Sequence, residues 1–206
     1  MLDFEEKARQ KGFQWIIGVD EAGRGPLAGP VVAAAVALQN TRFQSRIDDS
    51  KKLTPRQREQ SFIEIFENAF VGIGIMSEAV IDEVNILQAT YLAMSNAVEQ
   101  LIDKIPFEVQ ARNDFPQMVC LLIDGNSFKS DLPYTYQTIT SGDGLSLSIA
   151  AASIIAKVTR DRILRTYDQI FPQYGLRRHK GYPTLQHKLA IRQFGPSVIH
   201  RKTFTY

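Results

Sequence analysis

Trp15-Ile16-Ile17-Gly18-Val19-Asp20-Glu21-Ala22-Gly23-Arg24-Gly25-Pro26 carries a short apolar run straight into two carboxylates and a glycine-rich turn. Soon after it comes Val31–Leu38, VVAAAVAL, the longest apolar run of the chain. Its length and the flanking Gly29-Pro30 favour a buried strand over 30–38, although periodicity alone is shared with a buried helix. Gly23-Arg24-Gly25-Pro26-Leu27-Ala28 formally fits G-x-G-x-x-A after a strand. A dinucleotide-binding turn must open a helix facing a pyrophosphate. Here Pro26, Gly29 and Pro30 interrupt, a strand follows, and two carboxylates would oppose the phosphates, so that reading is set aside.

Outward from this segment, strands and helices are interspersed. Residues 1–14 read as a short charged helix or arm. Thr54 with Gln57 makes a capping-box pattern and Pro55 suits the first helical position. Phe62, Ile65, Phe66 and Ala69 then share one face. Residues 70–76 read as a strand. Leu87, Tyr91, Met94, Val98 and Leu101 predict an amphipathic helix over 86–104. Residues 118–124 read as a buried strand ending at the turn Asp124-Gly125-Asn126. Residues 134–140 are β-rich. A long small-residue helix spans 146–167, and a last helix spans 184–194, closed by Gly195-Pro196. The pattern is that of an α/β domain.

Composition narrows the classes. With 44% hydrophobic and 22% charged residues the chain is globular rather than disordered. Its 206 residues fit one domain, 1–206. A single cysteine, Cys120, excludes a disulfide framework and a cysteine-based zinc cluster. The charged first twelve residues hold no signal-peptide core, and no apolar run is long enough for a membrane. A monomeric, cytoplasmic protein is the default expectation. The net charge of +2 conceals a division. Residues 1–150 hold 13 basic and 20 acidic residues, whereas 151–206 hold 11 basic residues against Asp161 and Asp168 alone. Such asymmetry fits a nucleic-acid contact or a solvated basic face equally.

The acids are more specific. Asp20 and Glu21 close one apolar strand, Asp124 closes a second, and Asp143 follows a third β-rich segment. In open α/β sheets the carboxyl-end rim is where ligands bind. Any one such acid is more often a turn or cap residue. Clustered carboxylates repel one another unless a cation neutralises them, and hard divalent ions such as Mg²⁺ and Mn²⁺ prefer oxygen donors. Two such ions can clamp the attacking and leaving oxygens of a phosphodiester.

The chain resembles ribonuclease HII, of the type 2 ribonuclease H family. The resemblance rests on Gly18–Pro26, Asp49-Ser50-Lys51-Lys52-Leu53, Asp124-Gly125-Asn126, Ala150–Asp161 and His179-Lys180-Gly181-Tyr182-Pro183-Thr184, in that order from about Trp15 to Phe204. It implies an RNase H-like fold: a central mixed five-stranded sheet flanked by helices, with a basic helical C-terminal part over 171–206. It implies a metal-dependent endonuclease, using two Mn²⁺ or Mg²⁺ ions, that cuts the RNA strand of RNA/DNA hybrids. It also implies cutting 5′ of single ribonucleotides embedded in duplex DNA, leaving 3′-hydroxyl and 5′-phosphate ends, with a role in ribonucleotide removal. The family's acidic tetrad, catalytic and metal-binding, falls on Asp20, Glu21, Asp124 and Asp143. Gly144 stands where relatives usually carry Ser, which is expected to loosen the loop aiming Asp143. Asp161 is the competing fourth acid, but beside Arg160 and Arg162 it reads better as an exposed partner of Arg165. Only fourteen residues precede the first strand, so the HII type is expected rather than HIII, which carries an extra N-terminal domain.

The resemblance also assigns substrate contacts. Gly23, Arg24 and Gly25 would offer backbone groups to the ribose 2′-hydroxyl, the group that separates RNA from DNA. Tyr182 would stack on the neighbouring deoxyribose. Ser50 and Lys51 would bind phosphate near the scissile bond, with His179 and Lys180 as further phosphate candidates. Lys157 is read as a partner for the acids. Two other readings are kept: a non-catalytic hybrid-binding protein on the same fold, and a nuclease or recombinase acting equally on all-DNA duplexes.

Overall fold

The computed structural model of the protein describes residues 1–205. Strand β1 (Trp15–Ala22) pairs antiparallel with β2 (Val31–Leu38), which pairs antiparallel with β3 (Ala69–Met76). On its other side β1 runs parallel to β4 (Val119–Asp124), and β4 runs parallel to β5 (Thr135–Ile139). The result is the mixed five-stranded sheet expected, in the order β3-β2-β1-β4-β5. The helices are α1 (Asp3–Gln10), α2 (Pro55–Asn68), α3 (Glu78–Val84), α4 (Ile86–Ile102), the single turns α5 (Phe107–Gln110) and α6 (Phe115–Met118), α7 (Leu147–Ile170), α8 (Leu176–His179) and α9 (Leu185–Phe194).

β2 is apolar at every position because both of its faces are covered. Ala33, Ala35 and Ala37 face the core shared with α4, whereas Val32, Ala34 and Val36 face the core shared with α7. α7 lies close across β1. A side chain on Gly18 would begin 2.2 Å from the main chain of Ser148, so only glycine fits there. The small residues of α7, Ala150 to Ala152 and Ala156, permit that approach.

The capping box of Thr54 and Gln57 forms as the sequence predicts, with Pro55 in the first turn. Other boundaries move. β1 continues two residues past Asp20, so both acids lie within its last ladder pairs, opposite Ala34 and Ala33. α7 extends to Ile170. α3 was not predicted, since seven residues give too little periodicity to read. The C-terminal part is helical only to Phe194. Beyond it the chain returns along the loop after β1, with an isolated bridge between Ala28 and His200.

α1 is tied to the start of α7 by a buried carboxylate. Glu5 Oε1 accepts from the Ser148 amide at 2.9 Å and from the hydroxyls of Ser146 and Ser148 at 2.6 and 2.8 Å. An anion there also suits the positive end of the helix. Glu5→Ala strands those donors and is expected to lower the unfolding free energy by about 1–3 kcal/mol in urea denaturation. A variant as stable as the parent would contradict that role.

Candidate active site

β1, β4 and β5 run in one direction, so their carboxyl ends form one rim. Val19 pairs with Ile123, which makes Asp20 and Asp124 the next neighbours along adjacent strands, about 5 Å apart in backbone. Alternation sets their direction. Asp20 follows Gly18 by two residues and Asp124 follows Leu122 by two, so both aim at the α7 side of the sheet. Glu21 has the opposite parity. Asp143 lies in a 3-10 turn over Gly142–Gly144, just ahead of α7. The Gly142 amide donates to Asp124 Oδ1 at 2.7 Å, binding that turn to the end of β4.

The four acids are electrostatically one group. Burial raises the Asp20 pKa well above the ordinary carboxylate value, and the charges of Glu21, Asp124 and Asp143 add to it. Glu21 is raised by burial, partly offset by Arg24, whose Nη1 stands 3.4 Å from Oε1. Asp124 is raised by burial and by Asp143, against the amides of Gly142 and Asp143 and the charge of Lys51. Lys51 Nζ donates to Asp143 Oδ2 at 3.1 Å. Burial lowers the Lys51 pKa, but Asp143, Asp49 and Asp20 outweigh it and raise the net value.

The donor set fits hard divalent ions: oxygen ligands only, mutually repelling, with an ammonium drawn against one of them. Among the described residues, no three acidic, histidine or cysteine side chains are placed so as to hold a metal ion together.

The other predicted contacts divide. A side chain on Gly25 would begin 3.7 Å from the Tyr182 ring, so the half-exposed tyrosine stands over the Gly23–Gly25 turn. Ser50 is buried against α7, its amide donating to Ser153 Oγ at 3.1 Å. His179 is held internally. Its Nε2 meets the Tyr174 carbonyl at 2.8 Å, its Nδ1 accepts from the Gly181 amide, and its ring stacks on His187. Lys180 turns back onto the Arg177 carbonyl.

The family model for Ribonuclease HII matches residues 17–206. The chain belongs to the ribonuclease HII family. A ribonuclease HII of Geobacter sulfurreducens is 51% identical over 203 residues, covering 98% of this chain and 87% of the relative. The crystal structure of ribonuclease H2 from Pyrococcus horikoshii superimposes with a TM-score of 0.67 at 26% identity, over 93% of this chain and 94% of that one. A ribonuclease HIII solved with Mn²⁺, Bst-RNase HIII, gives 0.71 at 17% identity, over 96% of this chain and 69% of that one, and so shows the fold alone. Membership makes the chain a ribonuclease H, a hydrolytic endoribonuclease acting on nucleic acid.

Two expectations are corrected. Asp161 is buried and pairs with Lys157 at 2.7 Å, not with Arg165, whose guanidinium bonds Glu59. Lys157 therefore serves Asp161 and not the acidic rim. The turn that carries Asp143 closes through the Gly144 amide on the Ser141 carbonyl at 3.1 Å and the Leu145 amide on the Gly142 carbonyl at 2.9 Å. Sequence reading also missed Arg160 and Arg201, buried to 1% and 0% exposure beneath the Gly23–Gly25 loop. The available signal was indirect: the carbonyls of a buried loop outside the sheet need donors from somewhere. Among the described residues, no helix is long and apolar enough to cross a membrane.

Proposed function

We propose that this ribonuclease HII cuts the RNA strand of RNA/DNA hybrids, and cuts 5′ of single ribonucleotides embedded in duplex DNA. The observation carrying this is the convergence of Asp20, Glu21, Asp124 and Asp143 on one rim, with the Gly23–Gly25 turn continuing directly from the strand that bears two of them. The four carboxylates would hold the ions. When bound, divalent metal supplies activation of water and neutralisation of charge on the scissile phosphate. Mn²⁺ or Mg²⁺ suits the oxygen donors.

The chain's own groups do the rest. Asp20 and Asp124 fix the base of the site from adjacent strands, and the hydrogen-bonded turn sets Asp143 beside them. Lys51, exposed at its tip and reaching Asp143, lies where a phosphate oxygen of the substrate would approach. The loop amides read the 2′-hydroxyl, and Tyr182 supports the adjoining sugar, where a further hydroxyl would clash. Exposed Arg177 and Arg178 favour the duplex backbone through charge. His179 and Lys180 act by shaping the Tyr182 segment.

The test compares three duplexes under Mn²⁺ or Mg²⁺: an RNA/DNA hybrid, DNA holding one ribonucleotide, and all-DNA. Cleavage of the first two and not the third is expected. Equal cleavage of all three would favour a general nuclease. Binding without cleavage by folded protein would favour a non-catalytic hybrid binder.

A further inference from the structure

The loop from Gly23 to Pro30 is braced by two buried arginines from distant parts of the chain. Arg201 donates to the carbonyls of Gly23 at 2.6 Å, Arg24 at 2.9 Å and Pro26 at 2.8 Å, and twice to Gly29 at 2.7 and 3.0 Å. Arg160, on α7, donates to Pro30 at 2.9 Å, Ala28 at 3.0 Å and Lys180 at 3.0 Å. Its last contact joins the loop to the segment bearing Tyr182. The tail carrying Arg201 is itself docked. The Arg201 amide donates to Leu27 O, and the Gly29 amide donates to Ile199 O, each at 2.9 Å. Burial pushes the Arg160 pKa down to about 10 and Arg201 to about 9, so both remain cations at neutral pH. Glu78, buried in α3, lies close enough to feel both charges.

This bracing sets which way the loop's peptides face. In a trans peptide the carbonyl and the following amide point in opposite directions. With the carbonyls of Gly23 and Arg24 turned inward onto Arg201, the amides of Arg24 and Gly25 turn away from it. A rotated peptide would present an acceptor where a donor stood. Gly23 is the vulnerable point, since its φ of +104° leaves the glycine backbone free to choose.

We infer that Arg201 and Arg160 are positioning residues for ribose discrimination: they lock the Gly23–Gly25 peptides in the single orientation that meets a 2′-hydroxyl, while touching no substrate themselves. The inference rests on the proposed reading of that turn. A lysine at either site keeps the charge but loses the fork that spans several carbonyls. The loss should therefore fall on recognition of the ribonucleotide and spare binding of the duplex backbone.

The test measures KM for a duplex with one ribonucleotide and the inhibition constant of the matching all-DNA duplex, in the parent, Arg201→Lys and Arg160→Lys. In the parent, KM should lie well below the inhibition constant. In each variant KM should rise about tenfold or more toward an unchanged inhibition constant, as expected for a lost charged hydrogen bond. A merely structural role would reduce the active fraction, lowering kcat and leaving both constants alone; that outcome overturns the inference while the proposed function stands. A parent with equal constants would overturn the reading of the turn, and this inference with it. Should neither variant fold, the parent decides by NMR relaxation. Order parameters near 0.85 for the Arg24 and Gly25 amides support a locked loop, and values below about 0.6 refute it.

Discussion

Asp20→Asn is expected to abolish turnover and, in the same protein freed of metal, to increase stability. Asn keeps the Oδ1 acceptor that the Glu21 amide reaches at 2.7 Å, so local geometry survives. What disappears is a buried negative charge held against Glu21, Asp124 and Asp143. An acid whose folded pKa is raised binds protons more tightly in the folded state. Its contribution to stability therefore declines as pH rises from the ordinary carboxylate range through the raised value. At neutral pH Asp20, Glu21 and Asp124 thus all destabilise the metal-free fold. Removing one charge should raise the unfolding midpoint by about 2–4 °C for each kcal/mol of repulsion relieved. Turnover should fall by roughly a thousandfold or more, since several kcal/mol of transition-state stabilisation depend on a filled site. Calorimetry and a cleavage assay on one preparation check both. A variant that is inactive but less stable than its parent would assign Asp20 to the fold instead.

The second large effect is that of the ion on the fold. If the proposed site holds divalent metal, the ion should stabilise the parent by binding the folded rim and offsetting the repulsion there. At a hundredfold excess over its dissociation constant the gain is about 2.7 kcal/mol. Asp20→Asn and Asp124→Asn should lose most of it. A midpoint insensitive to Mn²⁺ and Mg²⁺ in the parent would argue against a metal site on these acids. Acidification should act in the same sense as the substitution, with the metal-induced gain shrinking as the raised carboxylates take up protons.

Much of this arrangement was legible in the sequence because it is written locally. Val31–Leu38 declares a strand covered on both faces, and Thr54-Pro55 with Gln57 declares a helix start. Asp20, Glu21 and Asp124 lie at or near the carboxyl ends of β1 and β4 and Asp143 in the turn that follows β5, and parallel pairing of β1, β4 and β5 brings those ends to one rim. What stayed hidden depends on contacts far apart in the chain. An Arg on a helix reads as solvated until the loop it serves, 130 residues away, is in place. Lys157 and Asp161 are in helical register with each other, but so are Asp161 and Arg165, and only packing chooses between them. The charge asymmetry likewise could not show which cations are exposed. Of the cations in residues 151–206, Arg160 and Arg201 are buried in the loop brace and Lys157 pairs with Asp161, so less of that charge is exposed than the composition implies.

Mapping the ends left on a duplex that holds one ribonucleotide tests the proposed chemistry most directly. With Mn²⁺ or Mg²⁺ present, water attacking the phosphate on the 5′ side should leave a 3′-hydroxyl on the upstream DNA and a 5′-phosphate on the ribonucleotide. No product should form when the ions are chelated. A 2′,3′-cyclic phosphate with a 5′-hydroxyl, formed in chelator, would mean that the ribose hydroxyl itself is the nucleophile and would contradict a metal-dependent hydrolysis on this acidic rim.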